Sequence, residues 1–264
     1  MSPATLRNLS ELRSEPALTV QSPERALLRI ASYNIHGCVG LDMRRNVSRV
    51  ARVIQELGCD TIGLQEVGGK HDRTGAMQLE LLARETGMQA VAGGTIIRHQ
   101  YHYGNALLTT RPVLAVRRHD LSFQKFEPRG AIDVDLDVDG VSVRVFVTHL
   151  GLKAMERREQ VTKIMDLVRD VPAHQPLVIL GDMNEWLPGG LVLKWLHKLM
   201  DQAPSKRSFP TFLPMFSLDR VWSRPQGSLM SFDVHRSPAA RKASDHYPVK
   251  AVIAPGARPA LLST

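Results

Sequence analysis

Cysteine is scarce in this sequence, with only Cys38 and Cys59 among 264 residues. The two residues form no CxxC pair and lack the spacing of zinc ligands, which argues against a disulfide framework and against a zinc-binding module. We expect both to be reduced thiols in a reducing compartment. Cysteine usage therefore indicates a cytoplasmic protein.

Long apolar runs are also missing. No run approaches the roughly 18 residues that a membrane helix needs, so no transmembrane segment is predicted. The first residues alternate polar and charged types without the apolar stretch of a secretory signal. We expect residues 1–26 to be a flexible tail with one weak helical turn, residues 27–256 to form one domain without internal repeats or linkers, and residues 257–264 to be a second tail.

Aromatic residues make up only 5% of the chain. The candidates for exposed rings are Tyr101, Tyr103 and Trp186, which are too few for the stacked rings on which unpaired bases bind. Acidic residues are outnumbered by basic ones, and the net charge is +8. This excess attracts nucleic acids and anionic membrane surfaces alike. Charge therefore predicts an anionic partner, peripheral membrane contact included, without choosing between them.

The pattern of apolar residues predicts an α/β protein. Strand–helix pairs open the chain, a β-rich middle follows, and Asp139-Gly140 between two alternating segments signals a two-residue hairpin. We expect two mixed β-sheets packed face to face with helices outside. The predicted strands are residues 28–34, 61–65, 104–109, 113–118, 131–138, 141–148, 176–180, 218–222, 229–235 and 249–253, and the predicted helices are residues 44–57, 76–85 and 156–169.

Six of the predicted strands end in, or begin with, an acid, an amide or an imidazole. Each occurrence alone has an ordinary alternative: the GDMN fragment at 181–184 is as often a plain turn, an Asp–His pair is mostly structural, and Glu66 could cap a loop in solvent. Repetition of this chemical set at strand ends favours one shared site, and carboxylates suit a hard cation. The residues are Asn34, Glu66, His149, Asp182 with Asn184, Asp219, and Asp245 with His246.

Seven motifs, in this order, resemble those of the endonuclease/exonuclease/phosphatase superfamily and span roughly residues 28–254. The resemblance implies a four-layer α/β sandwich with one site at the ends of both sheets, so residues 27–256 would be the catalytic domain. The motifs are YNIHG at 33–37, LQEV at 64–67, YGNALL at 103–108, THLGL at 148–152, GDMNEW at 181–186, FPTFLPMFSLDRV at 209–221 and SDHYPV at 244–249.

The resemblance also implies a metal site that holds Mg²⁺ or Mn²⁺. Glu66 would be the main ligand, with Asn34 beside it and Asp245 close to the metal. Where apurinic endonucleases of the superfamily have an acid two residues after the asparagine, this chain has His36. A second carboxylate ligand is therefore absent at that position, and His36 is predicted to be a ligand, a substrate contact or a structural side chain.

For catalysis, the resemblance implies that Asp182 orients or deprotonates the attacking water and that Asn184 donates hydrogen bonds to the phosphoryl oxygens. His246, oriented by Asp219, would act on the phosphate or the nucleophile. His149 would stabilise the transition state or assist the leaving group, and it stands where the repair enzymes have tyrosine. These roles agree with phosphoryl transfer, which mainly needs positioning and charge neutralisation.

Further candidates for substrate binding are His36, Tyr103, Asn105 and Arg129. The Arg129 guanidinium could clamp a phosphate through two hydrogen bonds, and a structural salt bridge is an equally good interpretation.

The combination of NIHG, THLGL with ERREQ, and GDMNEW is similar to small bacterial members grouped with sphingomyelinase-like and deoxyribonuclease-like enzymes. It predicts a monomeric phosphodiesterase that uses in-line attack of an activated water, with a phospholipid head group ahead of nucleic acid as substrate. Two alternatives stay open: a phosphomonoesterase acting on an inositol phosphate or nucleotide, and a non-catalytic module that binds polyanions on the same fold.

Overall fold

The computed structural model describes residues 26–68, 75–93, 96–98, 101–201 and 203–256, and it does not describe the side chains of residues 75–76, 96–98 and 101–103. The predicted tails lie outside the described residues, apart from Ala26, so the proposed domain boundaries stay predictions. No helix in the described part of the chain is long and apolar enough to cross a bilayer. Both cysteines are free.

The secondary structure alternates as the sequence predicts. The strands are β1 (Leu28–Asn34), β2 (Thr61–Val67), β3 (Gln89–Ala92), β4 (Ile96–Arg98), β5 (Tyr101–Thr109), β6 (Val113–Asp120), β7 (Gly130–Val138), β8 (Val141–His149), β9 (Leu177–Asp182), β10 (Asp219–Arg224), β11 (Leu229–Val234) and β12 (Val249–Ile253). The helices are α1 (Val47–Leu57), α2 (Gly75–Thr86), α3 (Ala154–Arg169), α4 (Leu191–Leu199) and α5 (Pro238–Ala243), with a short 3-10 turn at His36–Cys38.

The strands form two mixed sheets. The first has the order β11-β12-β1-β2-β5-β3, with β4 paired to β5, and the second has the order β10-β9-β8-β7-β6. Only the β1–β2 pair is parallel in the first sheet and only β8–β9 in the second, among the described residues. The carboxyl ends of these four strands therefore define one edge in each sheet, where side chains from distant parts of the sequence meet.

The two sheets pack directly on each other. Gly63 in β2 shows how close they come, because a Cβ added there would lie 2.2 Å from Leu180 Cδ1 and 2.9 Å from Val147 Cγ1 of the opposite sheet. Apolar residues of α1 extend this core on the outer face of the first sheet. A second apolar cluster joins α3 and α4 to the outer face of the second sheet. The predicted α/β class, two mixed sheets with helices outside, is confirmed.

The differences from prediction lie at element ends and in short elements. Helix α1 begins at Val47, three residues later than expected, because the side chain of Asn46 accepts a hydrogen bond from the Arg49 amide as an N-cap. The predicted hairpin is confirmed, with Asp139 and Gly140 both at positive φ. Strands β3 and β4 and helices α4 and α5 were not predicted. Three of them, β3, β4 and α5, have six residues or fewer and show little periodicity, whereas α4 is amphipathic and was missed.

Candidate active site

Glu66 lies near the end of β2 in a left-handed backbone conformation, at φ 56°. The pairing of β2 with β5 is irregular between Leu64 and Val67, so Glu66 falls within a bulge. A glutamate held at positive φ costs on the order of 1 kcal/mol or more, and such residues concentrate at functional sites. The bulge directs the Glu66 carboxylate towards Asn34 at the end of the neighbouring strand.

Asn34 connects the two sheets. Its Nδ2 atom donates to Glu66 Oε1 at 3.2 Å and to Asp182 Oδ2, at the end of β9, at 3.1 Å. Its Oδ1 atom accepts from the His36 amide at 3.1 Å. The Asn34 side chain thereby lies between a carboxylate of the first sheet and a carboxylate of the second. Asp182 is almost fully buried, whereas the Glu66 side chain keeps 23% of its surface exposed.

The GDMN segment, residues 181–184, ends β9 and turns directly after it. The Asn184 amide donates to Asp182 Oδ1 at 2.9 Å, and Asn184 has φ 47°, which asparagine tolerates better than most residues. The Asn184 side chain donates to the Leu150 carbonyl at 2.7 Å. The segment therefore forms the turn that the sequence allows, and this turn positions Asp182 and Asn184 side by side, while their catalytic roles stay predictions.

His149, at the end of β8, contacts Asp182 through its Nε2 atom at 3.4 Å and lies 4.0 Å from Glu66 Oε1. Its Nδ1 atom lies 3.1 Å from Arg129 Nη1. Its Nε2 atom also lies 3.0 Å from Asn184 Nδ2, so each ring nitrogen faces a side-chain donor. Because a neutral imidazole can accept at only one ring nitrogen, these contacts fix the position of the ring and not its tautomer.

His246 is held from behind by Asp219. The ring Nδ1 atom donates to Asp219 Oδ2 at 2.9 Å, and the same oxygen accepts from the Ser208 hydroxyl at 2.6 Å. The other ring nitrogen, Nε2, lies 3.6 Å from Asp182 Oδ2. Residues from β9 and β10 and from the loop before β12 therefore meet within one short chain of contacts.

Burial and the neighbouring charges shift the pKa values of Asp182 and His246. Burial raises the pKa of Asp182 to about 6, although His246 opposes the rise. Burial alone would lower the pKa of His246, but the carboxylates of Asp219 and Asp182 outweigh it and raise that pKa to about 10. At neutral pH the pair is therefore an imidazolium facing a carboxylate that titrates close to neutrality.

Two groups of side chains could hold a cation. Asp182, Asp219 and His246 have ligand atoms within 4.8 Å of one another. His246 is a poor ligand, however, because a protonated imidazole offers no lone pair and Asp219 already accepts its Nδ1 proton. Glu66 offers carboxylate oxygens at a partly exposed position, which suits a hard divalent cation. Asn34 beside it is buried, and its Oδ1 atom accepts from the His36 amide. The residues at that position fit the predicted metal site.

The model of the Endonuclease/Exonuclease/phosphatase family matches residues 31–246. The chain belongs to this family. Its enzymes are generally hydrolases that act on phosphate esters. The chain is 25% identical over 248 residues to the uncharacterized protein YbhP of Escherichia coli K12, a match that covers 85% of this chain and 95% of YbhP.

Solved structures of the family share the fold at low identity. The protein from Beutenbergia cavernae has a TM-score of 0.68 at 22% identity, over 87% of this chain and 72% of that one. Danio rerio TDP2 complexed with a single-strand DNA product has a TM-score of 0.63 at 15% identity, over 86% of this chain and 98% of that one. At such identities the likeness shows the fold alone.

The structure brings together seven of the residues predicted from strand ends: Asn34, Glu66, His149, Asp182, Asn184, Asp219 and His246. Asp245 joins through Ser244, whose hydroxyl donates to the Asn34 carbonyl at 2.7 Å and contacts Asp245 Oδ1 at 3.3 Å. His36 lies beside it, with Nδ1 3.9 Å from Asp245 Oδ1. These contacts do not test whether Asp245 lies close to a metal, so that role stays a prediction.

The residues predicted to contact the substrate differ in exposure and in hydrogen bonding. His36 has a 41% exposed side chain, so it can meet a ligand. Asn105 is buried and donates to the Gly130 carbonyl at 2.9 Å, while its Oδ1 atom has no hydrogen-bond partner in the described part of the chain. Arg129 contacts His149 and, at 3.3 Å, Glu127. The side chain of Tyr103 lies outside what the structure describes.

Sequence reasoning missed the residues that support the site. Ser208 donates to Asp219, and Phe209 packs on His246 with ring centroids 4.6 Å apart. Neither residue stands at a strand end, so the strand-end pattern could not indicate them. The contact between Arg129 and His149 was also missed, because it depends on the alignment of β7 with β8.

Proposed function

We propose that this protein is a divalent-metal-dependent phosphodiesterase that hydrolyses its substrate by in-line attack of an activated water. One observation carries the proposal. Asp182 Oδ2 has three neighbours from separate segments, namely Asn34 Nδ2 at 3.1 Å, His149 Nε2 at 3.4 Å and His246 Nε2 at 3.6 Å. A buried acid among these groups serves proton transfer and charge neutralisation, whereas a polyanion-binding module would not need it.

Glu66 and Asn34 would hold Mg²⁺ or Mn²⁺, with Asp245 nearby. The cation would supply Lewis acidity towards a phosphoryl oxygen. Asn34 has a second task that needs no cation, since its amide donates to the Glu66 and Asp182 carboxylates and so fixes their separation.

Asp182 is the proposed general base. A pKa near 6 leaves its carboxylate ionised at neutral pH, yet basic enough to take a proton from water, which is the compromise that general-base catalysis favours. Asn184, fixed by the same turn, would donate its side-chain amide to a phosphoryl oxygen. Because one turn positions both groups, the attacking water and the phosphate would be held in a fixed relative orientation.

The two histidines would complete the site. His246, kept protonated by Asp219, would donate its Nε2 proton to the phosphoryl oxygens, on which negative charge is spread. His149, whose ring is held between Arg129 and Asn184, would stabilise the transition state or assist the leaving group. A direct phosphate contact by Arg129 stays a prediction, as do contacts by His36, Tyr103 and Asn105.

A phosphodiester is the proposed substrate, with a phospholipid head group ahead of nucleic acid. Nucleic acid is the second candidate because Danio rerio TDP2, which shares the fold, is described with a single-strand DNA product. We further propose that residues 27–256 act as one catalytic domain, and that the protein is a cytoplasmic monomer.

The proposal is tested by hydrolysis of bis-p-nitrophenyl phosphate in Mg²⁺, in Mn²⁺ and in chelator, beside a phosphomonoester. We expect turnover of the diester only with a cation, and a fall of about 10³-fold in kcat for Asp182→Asn. Asp166→Asn, at an exposed acid on α3, serves as the matched control. Activity in chelator, or full activity of Asp182→Asn, would refute the hydrolase; a strong preference for the monoester would refute the diesterase.

A further inference from the structure

Large apolar side chains gather on the surface beside the candidate site. Fourteen are exposed in the described part of the chain, and seven of these border the site, six in three loops and Met155 at the start of α3. We call these seven the apolar rim. They are Leu152, Met155, Trp186, Leu187, Phe212, Leu213 and Met215.

Direct contacts join the rim to the site. Phe209 and Phe216 pair at the base of one loop, and the ring of Trp186 packs edge-on against both, with centroids 5.6 Å and 4.7 Å away. Phe209 in turn packs on His246, and Thr211 holds the loop to Asp245 through its amide at 2.8 Å. The tip of this loop therefore projects from the wall of the site itself.

The other loops are fixed to the same wall. Buried Arg157 donates to the Leu152 carbonyl at 2.7 Å and to Glu185 Oε2 at 3.3 Å, so it connects the loop after β8 to the residue before Trp186. Phe212, Leu213 and Met215 are 63%, 58% and 55% exposed, although the loop that carries them is well anchored. Anchored, exposed apolar tips imply that something other than water covers them in use.

The charge of the same loops indicates what covers them. Exposed Lys153 and Arg158 flank Leu152 and Met155. Exposed Arg207 precedes the loop of Phe212, as does Lys206, which is paired with Asp233 at 2.9 Å. The sequence has no acidic residue from 186 to 200 or from 203 to 218. Apolar tips among cations match the interface of an anionic bilayer, where apolar groups enter the acyl region and cations meet the head groups.

We propose that the apolar rim docks on the surface of a membrane containing anionic phospholipid, which presents a lipid phosphodiester to the site. This inference rests on the proposed hydrolase and names its substrate class. A nucleic acid gains nothing from Leu and Met tips in water, and only Trp186 and Phe212 in the rim could stack on bases.

The test uses the double variant Phe212→Ser/Leu213→Ser, with Leu152→Ser/Met155→Ser as an independent second. Leu114→Ser/Met230→Ser is the matched control, because Leu114 and Met230 are 57% and 56% exposed on strands β6 and β11. Sedimentation with phosphatidylcholine vesicles, with and without phosphatidylglycerol, measures binding. The ratio of turnover of vesicle phospholipid to turnover of bis-p-nitrophenyl phosphate measures coupling to the site.

We expect wild type and control to bind the anionic vesicles and to release them at high salt. Both rim variants should bind about tenfold or more weakly, and their turnover ratio should fall by a similar factor. Equal vesicle binding by rim and control variants would overturn the inference. So would rim-dependent cleavage of single-stranded DNA without vesicle binding, or a wild-type dimer that the rim variants dissociate.

The two assays distinguish a failure of the hydrolase proposal from a failure of the rim inference. Bis-p-nitrophenyl phosphate is soluble and tests the site alone, whereas sedimentation needs no turnover. Turnover of the soluble diester without vesicle binding would overturn the rim inference and leave the hydrolase standing. Vesicle binding without turnover of any diester would overturn the hydrolase, and with it the substrate class inferred here.

Discussion

His246 Nε2 lies 3.6 Å from Asp182 Oδ2, although the two residues are attached to different sheets. One reaches the site from the loop before β12 of the first sheet, and the other ends β9 of the second. Both pKa values are raised, to about 10 for His246 and about 6 for Asp182, so that His246 is an acid and Asp182 a base at neutral pH. The packing of the two sheets therefore brings the proposed acid and the proposed base together.

The Asp219→Asn variant tests the support of His246. Its amide keeps the shape of the side chain but removes the charge that raises the pKa of His246, so the imidazole should lose its proton at lower pH. We expect kcat to fall on the order of 10²-fold and the alkaline limb of the pH–rate profile to move towards neutrality. Asp233→Asn, at an exposed acid paired with Lys206, is the control and should change neither. An unmoved alkaline limb would show that His246 does not depend on Asp219.

The Arg129→Gln variant separates two interpretations of Arg129. If the guanidinium positions His149, kcat should fall about tenfold while KM stays nearly constant, because a transition-state interaction is lost. If it clamps the substrate phosphate, KM should rise instead. Arg118→Gln, at an exposed arginine on β6, is the matched control. Steady-state kinetics with the soluble diester decide between the two, and a rise in KM alone would contradict the positioning role.

The pH dependence of unfolding tests the charge of His246 without any substrate. Its folded pKa of about 10 lies above the ordinary value of 6.5, so its protonation stabilises the fold. That contribution is complete below about pH 6.5 and is lost as pH rises through about 10. Urea unfolding in chelator measures the free energy of unfolding of wild type and of His246→Gln. The difference between these two free energies should shrink from about pH 8 to pH 11.

The control for that experiment is His197→Gln. Burial lowers the pKa of His197, so His197 is already neutral above pH 8 and its contribution should stay constant over the same range. If the difference in free energy of unfolding between wild type and His246→Gln also stays constant over this pH range, His246 is neutral in the folded protein.

Much of this site could be predicted from the sequence because strands carry a strong local signal. Asn34, Glu66, His149 and Asp182 each follow a short apolar run, and the ends of neighbouring strands meet at one edge of a sheet. Seven motifs in family order supplied the fold. The layer of helices was predicted less completely, since α5 has six residues and is defined by its Ser237 cap rather than by periodicity.

The rest depended on contacts that no local pattern records. Ser208 reaches Asp219 across a loop, and Arg129 reaches His149 through the register of β7 and β8. The left-handed backbone of Glu66 arises from a bulge against β5, which residues 61–67 alone do not reveal. The apolar rim was missed because exposed Leu and Phe residues look like core residues in a sequence.

The central claim is that residues far apart in the chain meet at one cation beside Asp182 and His246. Anomalous diffraction from crystals soaked in Mn²⁺ tests it most directly. We predict one strong peak within coordination distance of a Glu66 carboxylate oxygen, lost in Glu66→Gln and retained in Glu159→Gln, an exposed acid on α3. No peak at Glu66, or a peak that survives Glu66→Gln unchanged, would contradict the account.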